Sequence, residues 1–158
     1  MLQFEEVRRL KRLQFIVLEY CFFRDSEGGS ALPLSLPLVL SPLSLLLHIV
    51  KSRAPSLLTL PCYLVKLGTK TVGLLAIHEQ RESLIVASLG VAKQYRRLGI
   101  GACILGHVEM IARNVGKKSL AVDVYKKNVS AQRLYAKHGF TFTQDIRIRG
   151  MMRGNKLL

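Results

Sequence analysis

The chain has 158 residues, about half of them hydrophobic, with a formal net charge of +14 at pH 7. That length fits one domain able to bury a core, and the composition excludes a disordered chain. The charge is uneven: after Glu82 the only acids are Glu109, Asp123 and Asp145, against fourteen lysines and arginines. Such a field attracts anions of any class, including phosphorylated cofactors, acidic substrates, nucleic acid and anionic lipid, without choosing among them. No tandem repeat is visible. Cys21, Cys62 and Cys103 are odd in number and lack metal or disulfide spacing, which reads as reduced thiols in a cytoplasmic protein. Acids precede bases in the first eleven residues, a pattern unlike a signal peptide.

In chain order, residues 1–25 read as a short strand or turn and then a helix burying Leu13, Phe15, Ile16, Leu18 and Phe22 or Phe23. Residues 25–30, Asp-Ser-Glu-Gly-Gly-Ser, form a loop by composition. Residues 31–61 hold all five prolines. The run from Leu32 to Val50 is apolar enough to raise a membrane span, but Pro33, Pro37 and Pro42 argue against one. Each interior proline removes a backbone hydrogen bond that lipid cannot replace. The reading is an extended loop and then a helix from about Ser41 to Lys51 or Arg53, covering a cleft, forming a homodimer surface or, less readily, lying on a membrane.

From Cys62 the pattern sharpens. Three strands follow one another at 62–67, 71–79 and 82–91, with turns at Gly68-Thr69 and Gln80-Arg81. A helix from Gly101 carries Ile104, Val108, Ile111 and Val115 on one face and stops at Gly116. Residues 118–125 read as a buried strand, 128–138 as a short helix stopped by Gly139, and 140–148 and 151–157 as closing strands. The order β-β-β-α-β-α-β-β argues for an α+β fold with a mixed sheet. The division is one domain: a variable part at 1–61, a core at 62–142 and a C-terminal strand region at 143–158.

Two stretches carry chemistry. The first is Arg96-Arg97-Leu98-Gly99-Ile100-Gly101-Ala102, where an apolar strand passes through a basic turn into a helix. Glycine lets the backbone turn and approach a ligand, and a helix N-terminus offers unpaired amides to a phosphate. It is neither a P-loop nor a dinucleotide fingerprint. Taken alone, it also reads as a tightly packed turn. The second is Asn128-Val-Ser-Ala131-Gln-Arg-Leu134-Tyr135-Ala-Lys-His-Gly139-Phe140.

Together, in this order, the two stretches resemble the Q/R-x-x-G-x-G/A loop and the N-x-x-A-x-x-L-Y-x-x-x-G-F helix of the GNAT superfamily of acetyl-CoA-dependent N-acetyltransferases. The pattern is nearest to the branch that acetylates peptide N-termini. The resemblance covers roughly residues 62–142. It implies a mostly antiparallel central sheet, splayed between its fourth and fifth strands, with helices on both faces. It also implies acetyl-CoA as cofactor, with the backbone amides of Arg96 to Ala102 cradling the pyrophosphate. The exposed edge of Leu89, Gly90 and Val91 would pair with pantetheine. Asn128, with Ala131 in the same motif, would meet the pantetheine arm, the alternative for Asn128 being a plain helix cap. Tyr135, two helical turns after Asn128, would protonate the departing thiolate, the alternative being a core aromatic.

Asp123 occupies a position that holds a base in the peptide branch, and its apolar flanks suit a raised pKa. Structural pairing with a Lys or Arg is the bland alternative. Glu79, Glu82, Ser88 and His78 are weaker candidates, Ser88 as a residue that could position a water. The implied reaction is direct attack of an amine on the thioester, with no metal and no acyl-enzyme. The 145–153 region lacks the Tyr-Tyr pair usual in peptide acetyltransferases, so the acceptor stays open between a peptide and a small-molecule amine. A nucleic-acid-binding module and an inactive CoA-binding sensor are the competing classes. The first lacks exposed aromatics among its bases and any helix-turn-helix or zinc pattern.

Overall fold

The computed structural model describes residues 1–6, 60–143 and 150–158. The helix expected within residues 1–25, the apolar segment 32–50 with its cleft, dimer or membrane role, and most of the strand expected at 140–148 lie outside the described residues.

Strand β1 (Leu2–Glu6) opens the chain, followed by β2 (Cys62–Leu67), β3 (Lys70–Glu79) and β4 (Ser83–Val91). Helix α1 (Ile100–Asn114), β5 (Ser119–Tyr125), α2 (Val129–Lys137), β6 (Thr141–Thr143) and β7 (Met151–Leu157) complete it. The seven strands form one sheet in the order β1-β2-β3-β4-β5-β7-β6, antiparallel except for the parallel pair β4 and β5. That pair needs a crossover, and α1 supplies it. The last strand inserts between β5 and β6, a placement no local pattern in the sequence specifies.

Alternation in the strands sorts residues between two faces. Val72, Leu75, Leu84, Val86, Leu120, Val122 and Val124 join Ile100, Ile104, Leu105, Val108 and Ala112 of α1 and Tyr135 of α2 in the main core. Cys62, Leu64, Leu74 and Ala76 form a smaller cluster, with Ala87 packed against it. The two described helices therefore share one face. They also touch, since a Cβ on Gly101 would stand 3.0 Å from Leu134 Cδ2. Among the described residues, helices cover only this one face of the sheet.

A β-bulge shapes β4. The register pairs Ala76 with Ser88 but Ile77 with Val86, leaving Ala87 as the extra residue. Before the bulge, Leu84 and Val86 face the helices. After it, Leu89 and Val91 do so, and Ser88 takes the opposite face beside its partner Ala76.

Candidate active site

The site begins where the two parallel strands part. Pairing between β4 and β5 runs from Ser83–Ser119 to Val86–Val122 and then stops. From Ala87 to Val91, β4 stays paired with β3, through Leu89–Leu75, Gly90–Leu74 and Val91–Gly73. Its other edge has no strand partner among the described residues. On the far side of the gap, β5 continues through Asp123 to Tyr125, paired with β7. An interior sheet edge with open backbone groups suits an extended, amide-bearing chain laid in as an additional strand.

The same end of β4 leads into a sharp turn before α1. A single 3-10 turn at Lys93–Tyr95 uses the Arg96 amide, which donates to the Lys93 carbonyl at 3.2 Å. Arg96 also donates from Nε to the Val91 carbonyl at 3.0 Å, fastening the loop to the strand end. The next residues turn sharply: Arg97 has φ 66° and Gly99 φ 77°. Gly99 caps α1 without a side-chain bond, and the Cys103 amide is the first to reach back, to Gly99 O at 3.0 Å. The amides from Arg97 to Ala102 thus have no acceptor among the described residues. No acidic side chain occupies the first turn of α1. A Cβ on Gly99 would meet nothing within 4 Å. Leu98 is exposed, whereas Ile100 is buried and anchors the helix start. Open amides and the positive end of the helix dipole meet at the start of α1, an arrangement that suits an anion.

Helix α2 starts on the other side of the gap. Asn128 caps it, Oδ1 accepting from the Ala131 amide at 3.1 Å. The cap reading is therefore realised, and the side-chain Nδ2 donors remain for another partner. Ala131 and Leu134 pack against the main core. Tyr135 is buried, its ring edge-on to Phe140 at 5.7 Å between centroids. Burial first and the charge of Asp123 second push its phenol up to about 12.

Asp123 sits on the face opposite the helices, its side chain 1 % exposed, in a forked pair with Arg153 of β7. Arg153 Nε donates to Oδ1 at 2.7 Å and its amino group to Oδ2 at 3.0 Å. The bond to Asp123 also raises the Arg153 pKa. Both carboxylate oxygens are engaged, which is the structural pairing kept as the alternative above. Arg153 is the residue that sequence reasoning did not name. Only the insertion of β7 beside β5 brings it opposite Asp123.

The weaker candidates separate by position. Glu79 pairs with Lys117 at 2.7 Å and Glu82 with Lys118 at 2.9 Å, at the start of β4. That end lies about 26 Å along the strand from Val91. His78, opposite Ile85, lies toward the same remote end. Ser88 alone of these stands at the gap, 4 % exposed, its Oγ without a hydrogen-bond partner.

A mixed sheet parting after four parallel pairs, with a left-handed glycine turn at the parting end, is an architecture suited to an extended, phosphate-bearing ligand. The model of the acetyltransferase (GNAT) family matches residues 43–140, more than half of the chain, and the chain belongs to that family. A search of curated proteins returned no match. Among solved structures, the chain is similar to the PaiA N-acetyltransferase of Thermoplasma acidophilum in complex with coenzyme A. The TM-score is 0.77 at 13 % identity, over 100 % of this chain and 99 % of that one. A GNAT-family acetyltransferase of Staphylococcus aureus Mu50 gives 0.70 at 16 %, over 100 % and 99 %. One from Elizabethkingia anophelis with acetyl-CoA bound gives 0.59 at 17 %, over 99 % and 98 %. These likenesses show the fold.

Proposed function

We propose that this protein is an N-acetyltransferase that moves an acetyl group from acetyl-CoA to a primary amine by direct attack, the acceptor being a small molecule or a peptide. One observation carries the reading: the open edge of β4 and the cluster of unpaired amides at α1 meet at the same strand end. That pairing fits a molecule with an amide-bearing arm and a pyrophosphate. When bound, acetyl-CoA supplies an acyl group activated as a thioester.

The residues divide the work by place. The amides of Arg97, Leu98, Gly99, Ile100, Gly101 and Ala102 hold the pyrophosphate. The Arg96 amide is already used within its turn, and its side chain braces the loop against Val91. Leu89, Gly90 and Val91 offer backbone groups to the pantetheine arm, and Asn128 Nδ2 reaches it from α2. The Ala131 amide fixes that side chain by donating to Asn128 Oδ1.

Tyr135 acts as hydrogen-bond donor to the leaving sulfur. Its pKa of about 12 lies roughly 3.5 units above that of a free thiol, so full proton transfer to a solution-like thiolate would cost about 5 kcal/mol. Donation without full transfer stabilises developing charge and avoids that cost. Asp123 is assigned an electrostatic role in place of the base: held by Arg153, its negative charge helps to keep the Tyr135 phenol protonated.

No helix among the described residues is long and apolar enough to cross a membrane. Cytoplasmic residence stays part of the proposal.

The test is release of the CoA thiol from acetyl-CoA, followed with a thiol reagent, across glycinamide, phenethylamine, spermidine and alanyl-glycinamide. Tyr135→Phe should keep acetyl-CoA binding, read by thermal shift, and lose at least tenfold in kcat. Binding without release on any amine would turn the reading to a CoA sensor. Absence of acetyl-CoA binding would refute it.

A further inference from the structure

Ser88 has a buried hydroxyl that no mechanism described above uses. Leaving such a group without a partner costs about 1–3 kcal/mol, so a native position that keeps one calls for a reason. Alanine would fill the same place on β4 without that cost. The bulge supplies the first clue. In regular alternation Ser88 would face the helices among Leu84, Val86 and α1, and the extra residue Ala87 turns it to the other face. Bulges beside active sites commonly re-aim one side chain in this way. The second clue is location: Ser88 is two residues past the last β4–β5 pair, so it flanks the gap.

The phosphate-binding turn and α1 lie on the helix side, so an acyl-CoA arm enters the gap from there. An acceptor amine then approaches the acyl carbon from the opposite face, the one that carries Ser88 and Asp123. Asp123 has both oxygens engaged by Arg153, and Glu79 and Glu82 are at the remote end of β4. Ser88 Oγ is the buried side-chain acceptor without a hydrogen-bond partner among the described residues, and it stands at the gap.

We infer that the Ser88 hydroxyl, brought to the acceptor side of the gap by the Ala87 bulge, binds the acceptor's amine nitrogen through an N–H···Oγ hydrogen bond. This rests on the acetyltransfer reading above. The bond orients the nitrogen lone pair toward the acyl carbon. As the C–N bond forms, the C–S bond breaks with its electron pair on sulfur. Nitrogen sheds one proton to solvent and sulfur takes one up. Nitrogen grows positive in the transition state, so the bond to Ser88 becomes charge-assisted and strengthens there.

The experiment compares wild type, Ser88→Ala and Ser88→Thr in three measurements. These are kcat/KM for glycinamide and phenethylamine, the acetyl-CoA thermal shift, and Tm without ligand. Loss of one such hydrogen bond should lower kcat/KM for both amines roughly ten- to hundredfold in Ser88→Ala. The acetyl-CoA shift should stay at its wild-type size, and Tm should be equal or higher because an unsatisfied group is removed. Ser88→Thr, which keeps the hydroxyl, should recover most of the rate. Unchanged kcat/KM in Ser88→Ala would overturn the inference while leaving acetyltransfer intact. So would a lost acetyl-CoA shift, which would put the hydroxyl on the cofactor. No thiol release by wild type with any amine would instead overturn the reading beneath it.

Discussion

Gly99 offers a perturbation whose structural cost and binding cost can be separated. Its φ of 77° is left-handed, and a Cβ there would meet nothing within 4 Å. Alanine there therefore pays only the backbone penalty, roughly 1–2 kcal/mol. For a chain of this size each kcal/mol moves Tm by about 2–4 °C, so Gly99→Ala should melt some 2–8 °C below wild type. Acetyl-CoA at a hundred times its Kd adds about 2.7 kcal/mol to a protein that binds it only when folded, or roughly 5–11 °C. Gly99→Ala should keep that shift, since a methyl group leaves the amides open. Gly99→Glu carries the same backbone penalty but sets a carboxylate at the start of α1. There it meets the positive helix end, competes for the amides and repels a phosphate. Its melt without ligand should lie at or slightly above that of Gly99→Ala, and its acetyl-CoA shift should fall below about 2 °C. Scanning calorimetry or dye-monitored melts at fixed salt read both quantities. A full shift in Gly99→Glu would show that the cofactor phosphates bind elsewhere and refute the reasoning.

Two further outcomes follow from the charges. Asp123→Asn breaks a buried pair and should cost about 3 kcal/mol. That is the lower end for buried pairs, because the Arg153 side chain is one-third exposed and can turn to water. Chemical denaturation would read the cost, and Asp123→Asn combined with Arg153→Met should recover part of it. An undiminished stability would show that the pair contributes nothing. His107 stacks on Phe4 with ring centroids 3.7 Å apart, and burial lowers its pKa below the ordinary 6.5. The unfolded chain therefore binds the proton more readily, and stability should fall as pH drops through about 6.5 toward the lower folded value. His107→Phe should flatten that part of a Tm-against-pH profile, and an unaltered profile would assign the dependence to other groups.

Much of the fold was legible because its signals are local. Alternation marks β2, β3 and β4. Spacing of Ile104, Val108 and Ile111 marks α1, and Gly116 and Gly139 end the two helices. The expected helix start at Gly101 lies one residue from the observed Ile100, because Gly99 itself takes the left-handed cap. The glycine turn before α1 was equally readable, since its left-handed backbone is a local property of Gly99. Asp123 shows where such reading ends. Its apolar flanks are a local fact, and they suit a base with a raised pKa as well as a paired carboxylate. The residue that decides, Arg153, lies thirty positions away and arrives only when β7 inserts between β5 and β6.

Glu79, Glu82 and Ser88 make the same point from within one hairpin. All three stand within ten residues of each other in sequence. The sheet sends the two acids to one end, into pairs with Lys117 and Lys118, and leaves the serine at the gap. Ser88 faces the acceptor side only because β3 and β4 fall out of step at Ala87, and register between strands is a property of their pairing. The sequence by itself determined the order of elements, the glycine turn and the family motifs, all set by neighbours within a few residues. The tertiary structure alone decided where β4 and β5 part, which charge neutralises Asp123 and which face Ser88 serves. Those choices depend on contacts between segments far apart in the chain, and sidechain periodicity carries no information about them.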